Sequence, residues 1–178
     1  MNLFLIGYRC SGKSTVGRAL AERIGWPFVD TDQAIVQALG TPIARIVAEK
    51  GWAYFREQER LSLQRVAAGD GQVVATGGGV ILEARNIAVM QASGAVVWLM
   101  AGEPVIRARL LADTGTDGSR PALTDQGLIA EISTVLAERN PHYAAAADLT
   151  VDTDKMTIRS LCDRIEAFMI ARQAQQTQ

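Results

Sequence analysis

The sequence is poor in the residues that stabilise disulfide-rich or zinc-binding proteins. It contains only two cysteines and one histidine in 178 residues. Two cysteines form no disulfide framework, and Cys10 lies inside a glycine-containing loop where a bridge would obstruct a ligand. A single histidine without a cysteine cluster argues against a zinc site. We therefore expect a protein of a reducing compartment, the cytoplasm.

Excess charge and long apolar runs are also missing. The net charge of −1 gives no electrostatic reason to expect binding to nucleic acid or to an anionic membrane. No apolar run approaches the length of a membrane span, and the first residues lack the pattern of a signal peptide. An apolar fraction of 48% and a charged fraction of 21% are typical of a globular protein, and the length suits one domain.

What the sequence does have is a glycine-containing loop at residues 7–14. It reads GYRCSGKS and fits the phosphate-binding pattern G-x-x-x-x-G-K-[ST]. An apolar run precedes the loop and a helix-compatible stretch follows it, so that backbone N–H groups converge on an anion at a helix N-terminus. In this pattern Lys13 reaches the β- and γ-phosphates of a nucleotide, and the Ser14 hydroxyl binds Mg²⁺. The predicted ATP contacts are Gly7, Arg9, Cys10, Ser11, Gly12, Lys13, Ser14 and Thr15.

Short β-rich apolar runs alternate with longer helical stretches along the chain. The predicted strands are 3–6, 27–29, 72–76, 95–100 and 148–151. The predicted helices are 13–24, 31–39, 42–68, 83–92, 103–112, 125–139 and 155–173. This order predicts an α/β fold with a parallel sheet, helices on both of its faces, and a ligand site at the carboxyl ends of the strands.

A polar, glycine-bearing segment at 113–119 is long for a connection in a compact domain. It is either an ordinary surface loop or a lid over a site. Arg120 and Pro121 follow it directly, which favours a lid that carries an arginine.

Two aspartates follow the second predicted strand. In an extended segment Asp30 and Asp32 share a face, so both carboxylates can point into one site. In a phosphoryl transferase, one of them could hold the metal through water while the other contacts a hydroxyl of the substrate that accepts the phosphoryl group. Alternatively, the pair only caps the next helix, although two acids are more than a cap needs.

Three further groups of residues have both a structural and a functional interpretation. Arg56 and Glu59 are helical i, i+3 neighbours and form either a surface ion pair or a site in which the arginine binds a carboxylate. Glycines 77–79 are either a flexible turn or a backbone segment that approaches a ligand. Arg139 lies at the predicted end of a helix, where a cation often only complements the helix dipole.

Together these motifs resemble the shikimate kinases over nearly the whole chain. The matching segments are the phosphate loop, residues 30–32, Arg56 with Glu59, glycines 77–79, Arg120-Pro121, and Arg139 with Tyr143. The resemblance is closest to the second of the two enterobacterial isoenzyme types. It implies a P-loop fold of the nucleoside monophosphate kinase group with a five-stranded parallel sheet. It also implies a single kinase domain at 1–173 and a lid at about 112–124. The polar residues 174–178 are predicted to form a disordered tail.

The resemblance implies a reaction and roles for the matching residues. The reaction is transfer of the ATP γ-phosphate to the 3-hydroxyl of shikimate, with Mg²⁺ bound by Ser14 and Asp30, in a monomer. The implied catalytic residues are Lys13, Asp32 and Arg120, of which Arg120 also contacts ATP. The implied shikimate-binding residues are Asp32, Arg56, Glu59, Gly78, Gly79 and Arg139, with Arg56 and Arg139 on the carboxylate.

Some alternatives stay open at the level of sequence. Arg107 and Arg109 compete for the position that faces adenine. A gluconate-kinase-like enzyme of the same group would not need two arginines on a carboxylate, and nothing resembles the base-reading acceptor site of a nucleoside monophosphate kinase. A nucleotide-binding regulatory protein without transfer activity could lose Asp32 and Arg120, both of which are present.

Overall fold

A five-stranded parallel sheet forms the centre of the molecule. The computed structural model describes residues 1–113, 121–124 and 127–176. The strands are β1 (Asn2–Ile6), β2 (Phe28–Asp30), β3 (Val73–Ala75), β4 (Gly94–Met100) and β5 (Leu149–Asp152). They pair in parallel in the order β2-β3-β1-β4-β5. The predicted parallel α/β sheet is confirmed, and each predicted strand lies within one residue of an observed one.

Alternate residues of the strands supply two hydrophobic cores, one on each face of the sheet. Leu3 and Leu5 pack on one face with Leu20 and Ile165, whereas Phe4 packs on the other. Both faces are covered because helices follow the strands on either side, and the inner strands β1 and β3 are therefore buried at every position.

Seven helices surround the sheet in the described part of the chain. They are α1 (Lys13–Ile24), α2 (Thr31–Leu39), α3 (Ile43–Ala67), α4 (Ala84–Ser93), α5 (Glu103–Ala112), α6 (Ile132–Ala146) and α7 (Ile158–Gln176). A short 3-10 helix spans Val80–Leu82. Helix α3 is interrupted at Gly51, whose φ of 80° and ψ of 167° break the helical path. No helix in the described ranges combines the length and the apolar character needed to cross a bilayer.

Helix α6 differs from the prediction of a helix at 125–139. It begins at Ile132 and continues through Pro141 to Ala146. Proline removes a backbone donor and usually ends a helix. Here the next turn is held by Tyr143, which is fully buried, stacks on Trp98 with ring centroids 5.7 Å apart, and donates a hydrogen bond to the Gly78 carbonyl. This packing outweighs the local effect of proline.

The predicted lid lies mostly outside the described residues, and the predicted tail begins inside a helix. Residues 114–120 of the predicted lid, with Arg120, lie outside the described residues, as do 125–126 and 177–178. Helix α7 continues to Gln176, so residues 174–176 of the predicted disordered tail are helical.

Candidate active site

The predicted site residues meet at the carboxyl edge of the sheet. The phosphate loop follows β1, Asp30 ends β2, and the three glycines come after β3. Because parallel strands end at one edge, these segments are neighbours in space. Gly7 begins the loop with a φ of 141°, and a Cβ there would lie 2.6 Å from the Leu99 carbonyl oxygen. Only glycine allows the loop to turn this close to β4.

The loop is closed by its own lysine. The Lys13 ammonium donates to the carbonyl oxygens of Gly7 and Tyr8, each at 2.8 Å. Gly12, with a φ of 98°, caps the N-terminus of α1, where backbone N–H groups and the helix dipole favour an anion. The Lys13 ammonium and the N-terminus of α1 thus both lie at the phosphate loop, where they favour binding of an anion.

Asp30 serves both as a helix cap and as a partner of the loop. Its Oδ1 accepts the backbone N–H of Asp32 at 3.1 Å and of Gln33 at 3.2 Å, which caps α2. Its Oδ2 accepts the Ser14 hydroxyl at 2.8 Å. The predicted helix cap is therefore present, and the metal-binding role of Asp30 stays a prediction. A carboxylate beside a hydroxyl at the phosphate loop fits Mg²⁺, which takes few protein oxygens and completes its shell with water and phosphate.

Two cavities lie on either side of Asp32. The first has a volume of about 630 Å³ and is lined by Cys10 and residues 12–15 of the phosphate loop, by Asp30 and by Asp32. The second is smaller, about 50 Å³. Its lining includes Asp32, Arg56, Glu59, Gly77, Gly78, Gly79 and Arg139. The structure thus brings the residues predicted to bind the acceptor into one cavity that shares Asp32 with the nucleotide side.

Arg56 and Glu59 form a buried ion pair, not a surface one. Arg56 Nη1 lies 2.7 Å from Glu59 Oε2, and the two side chains are 21% and 1% exposed. Burial raises the pKa of the Glu59 carboxyl and the nearby Asp32 adds to this, while the Arg56 guanidinium opposes it. The guanidinium also lies 5.2 Å from the ring of Trp52. Glu59 therefore fixes the direction in which Arg56 points.

Within the glycines at 77–79, Gly77 and Gly79 are required for space, which neither sequence interpretation anticipated. None of them has a positive φ. A Cβ at Gly77 would lie 2.8 Å from Asp32 Oδ1 and closer still to Glu59 Oε1. A Cβ at Gly79 would overlap the guanidinium of Arg56. The glycines leave room for the charged side chains of the second cavity.

Arg139 lies inside α6, so the predicted position at a helix end is wrong. It is 6% exposed and donates from Nη1 to the Gly78 carbonyl at 3.2 Å. The same carbonyl accepts the Tyr143 hydroxyl at 2.5 Å, and burial raises the pKa of that phenol. Arg139 and Arg56 thus reach the second cavity from different helices, a pairing that spacing along the chain does not reveal.

Comparison with known proteins identifies the family. The model of the family described as shikimate kinase matches residues 9–170. The chain belongs to the shikimate kinase family. It is 47% identical to the shikimate kinase of Nitratidesulfovibrio vulgaris, over 85% of this chain and 86% of that protein. It is 44% identical to shikimate kinase 2 of Sodalis glossinidius, over 86% and 87% of the two chains.

A solved structure supports the same assignment. The shikimate kinase from Acinetobacter baumannii, in complex with shikimate, matches with a TM-score of 0.87 and 32% identity, covering 96% of this chain and 93% of that one. As a member of this family the chain is an ATP-dependent kinase that transfers a phosphoryl group to an alcohol. The predicted family, fold class and enzyme class are confirmed.

The position of one arginine beside the phosphate loop bears on the open choice for adenine. Arg109 donates to the Cys10 carbonyl at 3.2 Å and to the Thr153 carbonyl at 3.1 Å, which joins the loop to the segment after β5. Arg107 instead pairs with Glu103 at 2.9 Å on the outer surface of α5. Of the two, Arg109 is the one in contact with the nucleotide-binding loop.

Sequence reasoning missed several residues of the second cavity in this shikimate kinase family member. Tyr8 and Arg9 of the phosphate loop line it, as do Trp52, Pro121 and Leu123. Arg9 is predicted as an ATP contact, and in the structure it lines this second cavity and not the first. An aromatic residue one helical turn before Arg56 could have indicated Trp52, because guanidinium groups often lie over such rings. No sequence signal indicated the direction of Arg9.

Proposed function

We propose that this protein transfers the γ-phosphate of ATP to the 3-hydroxyl of shikimate. The observation that carries the proposal is the second cavity, in which Arg56 and Arg139 accompany Asp32 at the border of the phosphate loop. Two guanidinium groups suit a planar carboxylate, which each can bind through paired N–H donors. Shikimate offers one carboxylate and several hydroxyls, the groups that this lining complements.

The acceptor side works by positioning. Arg56 and Arg139 hold the carboxylate, and Glu59 keeps Arg56 in place through the 2.7 Å ion pair. Gly79 leaves the space that Arg56 occupies, and Gly78 lines the same cavity. Asp32 then accepts a hydrogen bond from the 3-hydroxyl and directs it to the nucleotide cavity, which Asp32 also lines. Fixing the two reactants in one geometry removes much of the barrier of a bimolecular step.

The donor side stabilises charge. Lys13 and the loop amides bind the β- and γ-phosphates, with the ammonium turning from the Gly7 and Tyr8 carbonyls to the phosphate oxygens. Ser14 and Asp30 hold Mg²⁺, which neutralises phosphate charge when bound. Arg120, which lies outside the described residues, is predicted to stabilise charge on the transferred group. Because phosphoryl transfer has a loose transition state, Asp32 needs to orient the hydroxyl more than to remove its proton.

A coupled ADP-release assay with three acceptors tests the proposal. We expect ATP turnover to be stimulated by shikimate and to stay at background with gluconate or a nucleoside monophosphate. Stimulation by gluconate instead would favour the gluconate-kinase-like alternative. ATP binding without turnover in the presence of any acceptor would favour a regulatory protein. Location in the cytoplasm, a monomeric state and a single domain over 1–173 stay predictions.

A further inference from the structure

One carboxylate in the second cavity's surroundings has no place in the phosphoryl-transfer scheme. Glu131, just before α6, is 0% exposed. Its Oε2 accepts the backbone N–H of Leu123 at 2.6 Å and of Thr124 at 2.8 Å, and the Thr124 hydroxyl at 3.3 Å. Burying a carboxylate costs free energy unless hydrogen bonds and a counter-charge compensate for it. The carboxylate therefore binds the segment 121–124 tightly.

The counter-charge comes from the phosphate loop. Arg9 Nη2 lies 3.8 Å from Glu131 Oε1, and the Arg9 side chain is 10% exposed. The same Nη2 donates to the Pro121 carbonyl at 3.2 Å, and the guanidinium lies 5.8 Å from the centre of the Tyr8 ring. Both residues therefore bind the segment 121–124. Arg9 contacts Pro121, and Glu131 contacts Leu123 and Thr124.

This segment forms one wall of the acceptor cavity. Pro121 and Leu123 line that cavity together with Arg56 and Arg139. The phosphate-binding pattern uses backbone N–H groups, so the side chain at position 9 is not needed for the nucleotide. We infer that Arg9 and Glu131 are positioning residues for the acceptor, which hold 121–124 as the wall that faces the two carboxylate-binding arginines. This rests on the proposed function, since it takes that cavity to be the shikimate site.

The inference predicts a split between the two substrates. In Arg9→Met the aliphatic stem stays, and the polar contacts with Glu131 and Pro121 are lost. We expect the KM for shikimate to rise about tenfold, as for coupled sites in general, while the KM for ATP stays within about twofold. Arg9→Lys keeps the charge but not the forked geometry, and we expect an intermediate rise. Arg23→Met is the control. Arg23, in the last turn of α1, also makes ion pairs, with Asp163 and Glu166 of α7, but it lines neither cavity.

A double-mutant cycle with Glu131→Gln tests whether the two residues act as a unit. We expect Arg9→Met with Glu131→Gln to raise the KM for shikimate no more than the more severe single change does. Additive effects of the two changes would overturn the inference. So would equal increases in the KM values for ATP and shikimate in Arg9→Met, or a lower melting temperature with both KM values unchanged. If Glu131→Gln does not fold, the two Arg9 variants decide alone.

The outcome can be separated from a failure of the proposed function. If shikimate is not the acceptor, the unmodified protein shows no shikimate-dependent ADP release. If only the inference is wrong, the unmodified protein turns over shikimate normally and Arg9→Met behaves like Arg23→Met.

Discussion

Adding one methyl group at Gly79 perturbs the acceptor site without replacing a charged residue. A Cβ at this position would lie 2.5 Å from Arg56 Nη2 and closer still to Nη1 and Cζ. Ordinary van der Waals contact begins at 3.4 Å, so the guanidinium must move by about 1 Å. Its present position is held by Glu59 at 2.7 Å and by the Trp52 ring at 5.2 Å, so the movement disrupts the carboxylate-binding geometry.

The expected loss follows from this displacement. A misplacement of about 1 Å in a group that positions substrate can cost about 100-fold in rate. We therefore expect Gly79→Ala to lower kcat/KM for shikimate about 100-fold, which corresponds to about 2.7 kcal/mol of transition-state stabilisation. The KM for ATP should change little, because Gly79 lines the second cavity and not the one at the phosphate loop.

The coupled ADP-release assay measures both parameters, with Gly78→Ala as the matched control. A Cβ at Gly78 would lie 3.4 Å from the Gly7 carbonyl oxygen and 3.6 Å from the Tyr143 hydroxyl, which is ordinary contact. The control should lose less than about tenfold in kcat/KM, since tolerated additions of volume cost little free energy. Gly79→Ala with the activity of the control would refute the idea that this glycine exists to make room for Arg56.

Three other predictions concern single side chains. Arg56→Lys keeps the charge but loses the fork, so shikimate binding should weaken by about 2 kcal/mol in calorimetry with ATP binding unchanged, and equal weakening of both would mean a structural role. Arg120→Ala should lower kcat by at least about 1000-fold, as removal of an arginine finger does, and an unchanged kcat would make the segment at 114–120 a plain loop. The native state raises the pKa of Glu59, so it holds more protons than the unfolded chain. In urea titrations, stability relative to Glu59→Gln should therefore be greatest below the unfolded glutamate pKa and decrease as pH rises, and a flat or opposite trend would contradict the buried carboxylate.

Elements whose pattern is local were predictable from the sequence. The strands are short apolar runs, and helices α1, α2 and α5 have the predicted bounds because their ends carry local signals, such as Gly25 and Gly40 in the left-handed conformation. The predicted end of helix α6 was wrong because the observed end depends on a distant contact. Tyr143 stacks on Trp98 of β4, and no pattern around Pro141 reports that contact.

The site residues fall into the same two groups, those that a local sequence pattern predicts and those that depend on distant contacts. Local sequence patterns predicted where the phosphate loop, Lys13, Ser14 and Asp30 lie in the fold. The i, i+3 spacing of Arg56 and Glu59 says only that they are neighbours. Their burial depends on Gly77 and Gly79, which leave the space that the ion pair occupies.

Arg9 shows most clearly what a sequence pattern cannot predict. A pattern match assigns the whole loop to the nucleotide, yet the pattern constrains backbone N–H groups, two glycines, a lysine and a hydroxyl. At position 9 it prescribes no side chain, so that side chain is free to serve a different part of the molecule. Arg9 lies against Glu131 and Pro121, in the cavity on the other side of Asp32. In a two-substrate enzyme the variable positions of a donor-binding loop are therefore a natural place to find residues that act on the acceptor.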